Sequence, residues 1–382
     1  MEDILPRPTL RARLLQSVRE FPVTVLLGAR QVGKSTLAHA AFAGRPDVVT
    51  YDLERPADAR ALAQAETTLE RHAGLVIIDE VQRQPSLFAL LRPLADRKPC
   101  RTRFVVLGSA SPELMKGVSE SLAGRANFIE VGGFTLDEVG RENWPTLWLR
   151  GGFPLSYLAD DESAGIRWRE AFITAFLERD LPQLGIAIPA VTLRRFWTMT
   201  AHYHGQIWNA SELARSLGAD YKTTSRYLDI LAGAYAVRVL PPWFENLGKR
   251  LVKSPKVYVR DSGLLHALFD IETERQLLSH ARLGASWEGF ALEQVLAAWQ
   301  ATRPWFWSTH QGAELDLLLE RRGKRYGFEF KYSDAPDATK SMHIAMADLK
   351  LQHLWVVYPG TREYSISANI TAVPITRLPD LP

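Results

Sequence analysis

GARQVGKS, at residues 28–35, is the stretch of sequence that decides the fold of the first part of the chain. It matches G-x-x-x-x-G-K-[ST], a loop in which Gly28 and Gly33 let backbone N–H groups turn inward around phosphates. Lys34 would supply a cation for the β and γ oxygens, and Ser35 a hydroxyl for Mg²⁺ at the start of the next helix. The pattern therefore predicts ATP binding. The expected nucleotide contacts are Gly28, Ala29, Arg30, Gln31, Val32, Gly33, Lys34, Ser35 and Thr36.

A second part of this site is expected at LVIIDE, residues 75–80, where apolar residues predict a buried strand that ends at Asp79. Asp79 is expected to bind Mg²⁺, and Glu80 to orient and deprotonate the attacking water. The alternative is that this Asp-Glu pair only caps the next helix. The strand-like FVVLGSAS at 104–111 ends in hydroxyl residues, and Ser109 is expected to hydrogen-bond near the γ-phosphate.

Five apolar segments predict the strands of one parallel sheet: 23–28, 48–53, 75–79, 104–108 and 128–131. Helical patterns separate them, as crossover connections between parallel strands require. The expected class is α/β, with ligands at the carboxyl ends of the strands.

Arg125 ends the segment SESLAGR and stands directly before the fifth predicted strand. An arginine at this place can face the nucleotide of a neighbouring subunit and stabilise transition-state charge, which would tie hydrolysis to a homo-oligomer. The alternative is that Arg125 is a surface salt-bridge partner.

Length and composition predict a globular protein of two or three domains, since the chain has 382 residues and 46% hydrophobic content. GGFP at 151–154 and PPW at 241–243 punctuate the chain, and the expected domains are 1–150, 151–265 and 266–382. The first residues lack the apolar run of a signal peptide, and no apolar stretch reaches about 18 residues. We therefore expect a cytoplasmic protein with no membrane partner. Its one cysteine, Cys100, cannot form an internal disulfide.

Positive charge is concentrated in residues 191–260, where eleven Lys/Arg and four Asp/Glu give +7, so the rest of the chain, from a total of +3, carries −4. Short helices in this block, SELARSLG and then YKTTSRYLDILAG, predict a winged helix whose second helix would present its first turns to a DNA groove. The alternative is a lid or protein contact of the same fold. The expected DNA contacts are Lys222, Arg226, Lys249, Arg250 and Lys253.

AELDLLLE at 313–320 and GFEFKYS at 327–333 predict two strands joined by a turn. Their alternating side chains can present Asp316, Glu329 and Lys331 together, a set that suits metal-dependent phosphodiester hydrolysis. Asp316 and Glu329 would bind Mg²⁺, Lys331 would position or activate water, and Glu288 is a candidate for a further carboxylate. The alternative is an exposed strand face with a salt-bridged Glu and Lys.

GARQVGKSTL, LVIIDEVQ, SESLAGR, FLERDLPQL and KRLVKSPKVYVRDSGLLHAL together resemble the bacterial and archaeal AAA-type ATPases that carry a C-terminal domain of unknown function with a restriction-endonuclease-like fold. The resemblance covers nearly the whole chain. It implies an AAA-type P-loop sheet domain, then a winged-helix domain, then a PD-(D/E)XK nuclease-like α/β domain. The family's usual loop reads GPRQVGKT where this chain has Ala29 and Ser35, and Leu315 stands where nuclease motifs often have proline.

The same resemblance implies roles for two groups of residues. ATP and Mg²⁺ would be bound, and ATP hydrolysed, by Lys34, Ser35, Asp79 and Glu80. The nuclease-motif positions would be occupied by Asp316, Glu329 and Lys331.

Three hypotheses of function follow from these patterns. The first is an ATP-driven enzyme that remodels or processes DNA. The second is a regulatory or signalling ATP switch whose C-terminal domain is a binding module without cleavage activity. The third is a nucleotide-binding scaffold with negligible turnover.

Overall fold

The computed structural model describes residues 5–97, 101–109, 122–244, 252–301 and 303–381. Cys100, Lys249 and Arg250 lie outside the described residues. The chain divides into two compact units, Met1–Gly133 with Asp229–Tyr235, and Phe134–Leu228 with Ala236–Pro382. Both of the expected domain edges, near 150 and near 265, fall inside the second unit, and they stay predictions.

The first unit is built on a five-stranded sheet in the order β2-β3-β4-β1-β5, in which every neighbouring pair is parallel. The five predicted strands are confirmed. Every residue of β1 is buried, as expected for a central parallel strand covered on both faces. The strands are β1 (Val23–Leu27), β2 (Val48–Asp52), β3 (Gly74–Asp79), β4 (Thr102–Gly108) and β5 (Ala126–Glu130).

Helices cover this sheet, as crossover connections require. Val25, Val76 and Val106 point from neighbouring strands into one core cluster, where Phe88 and Leu91 of a single helix meet them. Each such side chain contributes about 1.5–3 kcal/mol when it is fully removed from water. Within its described residues, this unit has the helices α1 (Pro8–Glu20), α2 (Lys34–Phe42), α3 (Pro56–Ala61), α4 (Ala65–Glu70) and α5 (Leu87–Ala95).

The second unit begins with short helices and a longer one that contains a π-helical turn at Phe176–Asp180. These are α6 (Leu136–Val139), α7 (Trp144–Arg150), α8 (Pro154–Tyr157), α9 (Glu162–Ala175) and α10 (Leu181–Gln183).

A three-stranded antiparallel sheet in the order β6-β8-β7 follows, interleaved with three helices. Asn209 and Asp220 precede the second and third of these helices, and their carboxamide and carboxylate accept from backbone N–H groups of the first turns. In chain order the elements are α11 (Ala190–His202), β6 (Gln206–Ile207), α12 (Ala210–Leu217), α13 (Tyr221–Gly233), β7 (Val237–Leu240) and β8 (Lys256–Val259).

The last third forms a six-stranded mixed sheet in the order β13-β14-β12-β11-β10-β9. β9, β10 and β11 are antiparallel neighbours, whereas β12 joins β11 in parallel. The elements are α14 (Ser262–Leu268), α15 (Glu274–Ser279), α16 (Leu283–Trp299), β9 (Trp305–Ser308), β10 (Glu314–Arg321), β11 (Lys324–Phe330), α17 (Lys340–Asp348), β12 (His353–Tyr358), β13 (Tyr364–Ser367) and β14 (Ile370–Pro374).

Asp261 joins two distant motifs inside the second unit. Its carboxylate accepts from the backbone N–H of Leu264, which caps α14, and from that of Gly152 at 2.7 Å. A Cβ on Gly151 would lie 2.1 Å from the Asp261 carboxylate, and one on Gly263 would lie 2.1 Å from the carbonyl oxygen of Arg150. The glycines of GGFP and RDSG are therefore needed for close packing of the two segments.

His266 is a fully buried histidine held by neighbours on both sides. Its Nδ1 lies 3.0 Å from the carbonyl oxygen of Leu149, and its Nε2 lies 2.7 Å from the Ser286 hydroxyl, to which Trp148 also donates. Burial lowers the pKa of His266 from 6.5 to about 4. The imidazole is therefore neutral at physiological pH.

No helix in the described part of the chain is long and apolar enough to cross a membrane.

Candidate functional site

The loop between β1 and α2 takes the shape that a phosphate-binding loop needs. Gln31 and Gly33 have φ values of 64° and 88°, in the left-handed region where glycine is favoured. Gly33 directly precedes α2, so the loop delivers the chain into the helix at its N-terminus. The first N–H groups of a helix have no partner within it and, with the helix dipole, attract an anion.

Gly28 lies against the strand end on the other side of the loop. A Cβ there would stand 2.1 Å from the carbonyl oxygen of Val131, a backbone atom that cannot turn away. Only glycine therefore fits at the first position of the loop. The glycine of the sequence pattern is thus needed for contact with the sheet as well as for backbone freedom.

Lys34 lies across the mouth of the loop and is almost fully buried. Its Nζ donates to the carbonyl oxygens of Gly28 and Ala29, at 3.1 and 2.8 Å. Burial lowers the pKa of Lys34 to about 8, although Glu80 and Asp79 act in the opposite direction. A phosphate oxygen would give this ammonium a charged partner in place of two neutral carbonyls.

Ser35 and Asp79 meet, although 44 residues separate them in the sequence. The Ser35 hydroxyl donates to the Asp79 carboxylate at 2.5 Å. In the sheet, β4 lies between β3, which ends at Asp79, and β1, which leads into the loop. Ser35 and Asp79 therefore meet across the carboxyl end of β4. A hydroxyl beside a carboxylate is a donor set that suits Mg²⁺, so the residues present fit the ion.

Glu80 follows the strand in a left-handed conformation, with φ of 56°. Such a conformation is uncommon for a residue other than glycine and often marks functional sites. Burial raises the pKa of the Glu80 carboxyl above its ordinary value, while Lys34 opposes this. The Gln82 side-chain amide donates to the Glu80 carboxylate. Gln82 has no role in the sequence prediction, although it stands two residues further on in the same DEVQ segment.

Ser109 comes directly after β4, between the loop and Asp79 in the strand order. Its hydroxyl is buried, and it has no hydrogen-bond partner among the residues that the structure describes. A buried hydroxyl without a partner costs free energy unless a ligand or water satisfies it. This placement agrees with the expected role near the γ-phosphate, which stays a prediction.

The remaining loop residues reach outward. Arg30 forms an ion pair with Glu54 at 2.8 Å, and Arg83 joins the same carboxylate at 3.1 Å. Gln31 and Thr36 are exposed.

Arg7 is a residue of the loop's surroundings that sequence reasoning missed. Its guanidinium is buried and donates to the carbonyl oxygen of Val32 at 3.1 Å, inside the loop. It also donates to those of Gly132 and Gly133, at 3.1 and 2.9 Å. One side chain thus fastens the loop to the segment after β5. No motif includes Arg7, so only its position before a helix could have drawn attention to it.

Arg125 lies just before β5 and is engaged within its own chain. Its Nε and Nη2 donate to the two carboxylate oxygens of Asp96, at 2.6 and 2.9 Å. The pair is exposed, and exposed ion pairs contribute little to stability. The arginine can therefore be released at little cost, and its role as a finger stays a prediction.

Among the described residues, two of the expected DNA contacts lie on α13 and a third lies in the segment before β8. Lys222 and Arg226 stand four residues apart on α13, both exposed, and so share a face. Thr223 and Ser225 are half-buried, and Lys253, three residues before β8, is exposed. Leu213 of α12 and Leu228 of α13 lie on the buried faces of their helices.

The antiparallel pairing of β10 and β11 brings Asp316, Glu329 and Lys331 together, and the predicted strand pair is confirmed. The Asp316 carboxylate accepts from the backbone N–H of Phe330 at 3.1 Å. Lys331 forms an ion pair with Glu329 at 2.9 Å. Asp316 and Glu329 are only 6% and 4% exposed, so this is a buried cluster and not an exposed strand face.

Glu288, the further carboxylate suggested by the sequence, joins the cluster from α16. It accepts from the Tyr258 hydroxyl at 2.7 Å. Burial raises the pKa of Glu288, and burial together with Asp316 raises that of Glu329, because charged forms are costly away from water. In the described ranges, no group of three or more His, Cys, Asp or Glu side chains is arranged to hold a metal ion.

Lys256 is the second residue that sequence reasoning missed. It is 2% exposed, on β8, and its Nζ lies 3.2 Å from Glu288, 3.4 Å from Asp316 and 2.5 Å from Glu314. Burial alone would lower the pKa of Lys256, but the surrounding carboxylates raise it well above its ordinary value. The ammonium therefore stays charged. Its place in KSPKVYV was visible in the sequence, but its partners lie at least 32 residues away.

Three family models match the chain in succession. The model described as "AAA domain" matches residues 20–140. Those described as "Domain of unknown function (DUF8612)" and "Domain of unknown function (DUF4143)" match residues 141–275 and 283–378.

Similar proteins cover most of the chain. The Walker-type ATPase PABY2304 of Pyrococcus abyssi has the same fold over 70% of this chain and 97% of its own, with a TM-score of 0.51 and 18% identity. The uncharacterized proteins Mb2031c of Mycobacterium bovis and Rv2008c of Mycobacterium tuberculosis are each 48% identical over 375 residues, which cover 98% of this chain and 85% of theirs. Residues 20–140 therefore form an AAA-type P-loop domain, and the chain belongs to the same family as these two mycobacterial proteins.

Proposed function

We propose that this protein binds ATP with Mg²⁺ and hydrolyses it to ADP and phosphate. The observation that carries the proposal is the meeting of the phosphate loop with the end of β3, where the Ser35 hydroxyl lies 2.5 Å from the Asp79 carboxylate. A site that only bound nucleotide would not need the half-buried Glu80 beside this pair.

Each side chain of the site has a separate task in this proposal. Lys34 exchanges its two carbonyl partners for β- and γ-phosphate oxygens, and the N–H groups of the loop and of α2 bind the phosphates. Ser35 and Asp79 would hold Mg²⁺, which neutralises charge on the phosphates when it is bound.

Glu80 is the general base. Its pKa is raised by burial, which brings its basicity closer to neutral pH and improves proton acceptance from water. Gln82 holds the Glu80 carboxylate by a hydrogen bond. The Ser109 hydroxyl is placed to bond the attacking water or a γ-phosphate oxygen. No covalent intermediate with the protein is required.

The test compares wild type with Lys34→Ala and Glu80→Gln, measuring ATP affinity and phosphate release separately. Lys34→Ala should lose affinity, whereas Glu80→Gln should keep affinity and lose turnover by about 100-fold or more. Equal turnover in wild type and Glu80→Gln would support a scaffold that binds nucleotide without hydrolysis.

We propose as a second step that ATP turnover serves an action on DNA. The order helix, strand, helix, helix, strand, strand over residues 190–259, with the sheet order β6-β8-β7, supports a winged helix. Lys222 and Arg226 are exposed on its third helix, which is the helix that enters a major groove in such folds. The +7 charge of residues 191–260 supports the same surface.

DNA-stimulated ATP turnover is the measurement for this second step. We expect stimulation at low salt that falls as salt rises, because phosphate contacts release counterions. Equal rates with and without DNA across low salt would favour the regulatory switch instead.

DNA cleavage is the least supported part of the wider hypothesis. Asp316, Glu329 and Lys331 do share one cluster, but the Lys256 ammonium lies 3.4 Å from one oxygen of Asp316, and its positive charge repels a second cation. The donor set therefore does not fit a Mg²⁺ ion as it stands. This observation favours a C-terminal domain that acts as a binding module without cleavage.

A further inference from the structure

The acidic cluster of the second unit already contains a cation of its own. Three carboxylates from two elements, Glu288 of α16 and Glu314 and Asp316 of β10, converge on one point. At that point lies the ammonium of Lys256, 3.2, 2.5 and 3.4 Å from them in that order. The side chains of Lys256, Glu288 and Asp316 are 3%, 17% and 9% exposed, so water screens the interactions among them little, whereas Glu314 is 37% exposed.

Two hydrogen bonds and one further ion pair also stabilise the carboxylates of the cluster. Tyr258 donates to the same Glu288 oxygen that Lys256 contacts. The Phe330 N–H donates to the other Asp316 oxygen. Lys331 pairs with Glu329 at 2.9 Å. A buried charge is tolerated when it is paired and hydrogen-bonded, and Glu288, Asp316 and Glu329 each meet that condition.

A divalent ion would compete with Lys256 for the same oxygens. Mg²⁺ and Mn²⁺ need oxygen ligands at roughly 2.0–2.2 Å, and the Glu288 and Asp316 oxygens nearest to such a position are those bonded to the ammonium. An ion placed there would stand beside a positive charge that is buried and paired with three carboxylates.

We propose that the ammonium group of Lys256 is the resident cation of this acidic cluster, and that it closes the cluster to divalent metal ions. The lysine takes the place that a metal ion would have between Glu288 and Asp316. Removal of its charge, with the carboxylates left intact, creates a divalent-metal site in the second unit. The inference is independent of ATP turnover, since the nucleotide site lies in the first unit.

The experiment titrates Mn²⁺ into the full-length protein without nucleotide and measures binding by calorimetry and by the electron paramagnetic resonance of free Mn²⁺. Wild type and Asp316→Asn should give the same isotherm. Lys256→Met should gain one ion per chain, with affinity about tenfold or more above any wild-type binding, because it leaves buried carboxylates without a cation. The double variant Lys256→Met/Asp316→Asn should lose that gain.

Lys331→Met is the matched control, since it removes a lysine from the same cluster but keeps Lys256. We expect no added ion. Wild-type Mn²⁺ binding that Asp316→Asn abolishes would overturn the proposal. So would a folded Lys256→Met protein without added binding, or an equal gain in Lys331→Met. If Lys256→Met does not fold, the Mn²⁺ isotherms of wild type and Asp316→Asn still test the proposal, because they should be identical.

Discussion

The hydroxyl of Ser35, in the first turn of α2, donates a 2.5 Å hydrogen bond to Asp79, the last residue of β3. We predict that Ser35→Ala lowers Mg²⁺-dependent ATP turnover by about 100-fold, because it removes one of two oxygen groups expected to hold the ion. Ser35→Thr, which keeps the hydroxyl, should stay within about threefold of wild type. Phosphate release at saturating ATP over a Mg²⁺ series measures both. Equal losses in the two variants would contradict the role of the hydroxyl.

The contact of Gly28 with Val131 predicts the effect of one added methyl group. Gly28→Ala should weaken ATP binding by about tenfold or more, because its Cβ would stand 2.1 Å from a backbone oxygen and the loop must shift. Gly132→Ala is the control, since a Cβ there meets nothing within 4 Å. Fluorescent-nucleotide titration gives both affinities. Normal binding by Gly28→Ala would show that the loop adapts without cost.

The five strands of the first sheet, their parallel pairing and the loop before α2 could be predicted because each depends on local pattern: apolar runs, glycine spacing and helix signals. The β10–β11 pair was predictable for the same reason. Arg7 and Lys256 were not, because their importance arises from partners far along the chain. The burial of Asp316 and Glu329 could not be predicted either. Acidic residues at alternate strand positions have the same spacing in the sequence whether their side chains are exposed or buried.

Arg125 can be an arginine finger or only a partner in a surface ion pair, and its pairing with Asp96 allows the two roles to be tested separately. If Arg125 acts on a neighbouring subunit's nucleotide, Arg125→Ala should lower turnover by about 1000-fold, within the range known for arginine fingers. Asp96→Asn should leave turnover near wild type, since it removes only the exposed pair. Turnover per chain should also rise with protein concentration. A loss of equal size in both variants would instead indicate a structural ion pair.

The shared face of Lys222 and Arg226 leads to a prediction about salt. Lys222→Glu/Arg226→Glu should weaken DNA binding and lower the slope of log affinity against log salt by about 2, one for each lost phosphate contact. Lys340→Glu, an exposed lysine at the start of α17, should change neither. Fluorescence anisotropy with a labelled duplex over a salt series supplies the slopes. An unchanged slope in the double variant would exclude this face from DNA contact.

The buried His266 predicts acid sensitivity of the second unit. Above pH 6.5 the imidazole is neutral in both folded and unfolded chains, so its contribution is complete. Below this pH the unfolded chain binds a proton that the folded chain, with a pKa of about 4, does not, and stability is lost as pH falls. The full interval corresponds to about 3 kcal/mol.

Denaturant unfolding followed by tryptophan fluorescence, at pH 7.5 and at pH 5, tests this. The loss of unfolding free energy on acidification should be smaller in His266→Gln than in wild type, although the variant is less stable at pH 7.5 because it disturbs the bonds to Leu149 and Ser286. Asp261 has a raised pKa and acts in the opposite direction, but it is present in both proteins and cancels in the comparison. Identical losses in the two proteins would assign the acid sensitivity to other groups.

Arg7 has a practical consequence for any attempt to isolate the first unit. The AAA-domain match begins at residue 20, so a truncation at that boundary would discard the guanidinium that grips Val32, Gly132 and Gly133. Three carbonyl oxygens would lose a charged hydrogen-bond donor, and the phosphate loop would lose its connection to the segment after β5. Arg7, which precedes the residues matched by the AAA model, therefore supports the phosphate loop. A fragment made to measure ATP binding or hydrolysis has to include it.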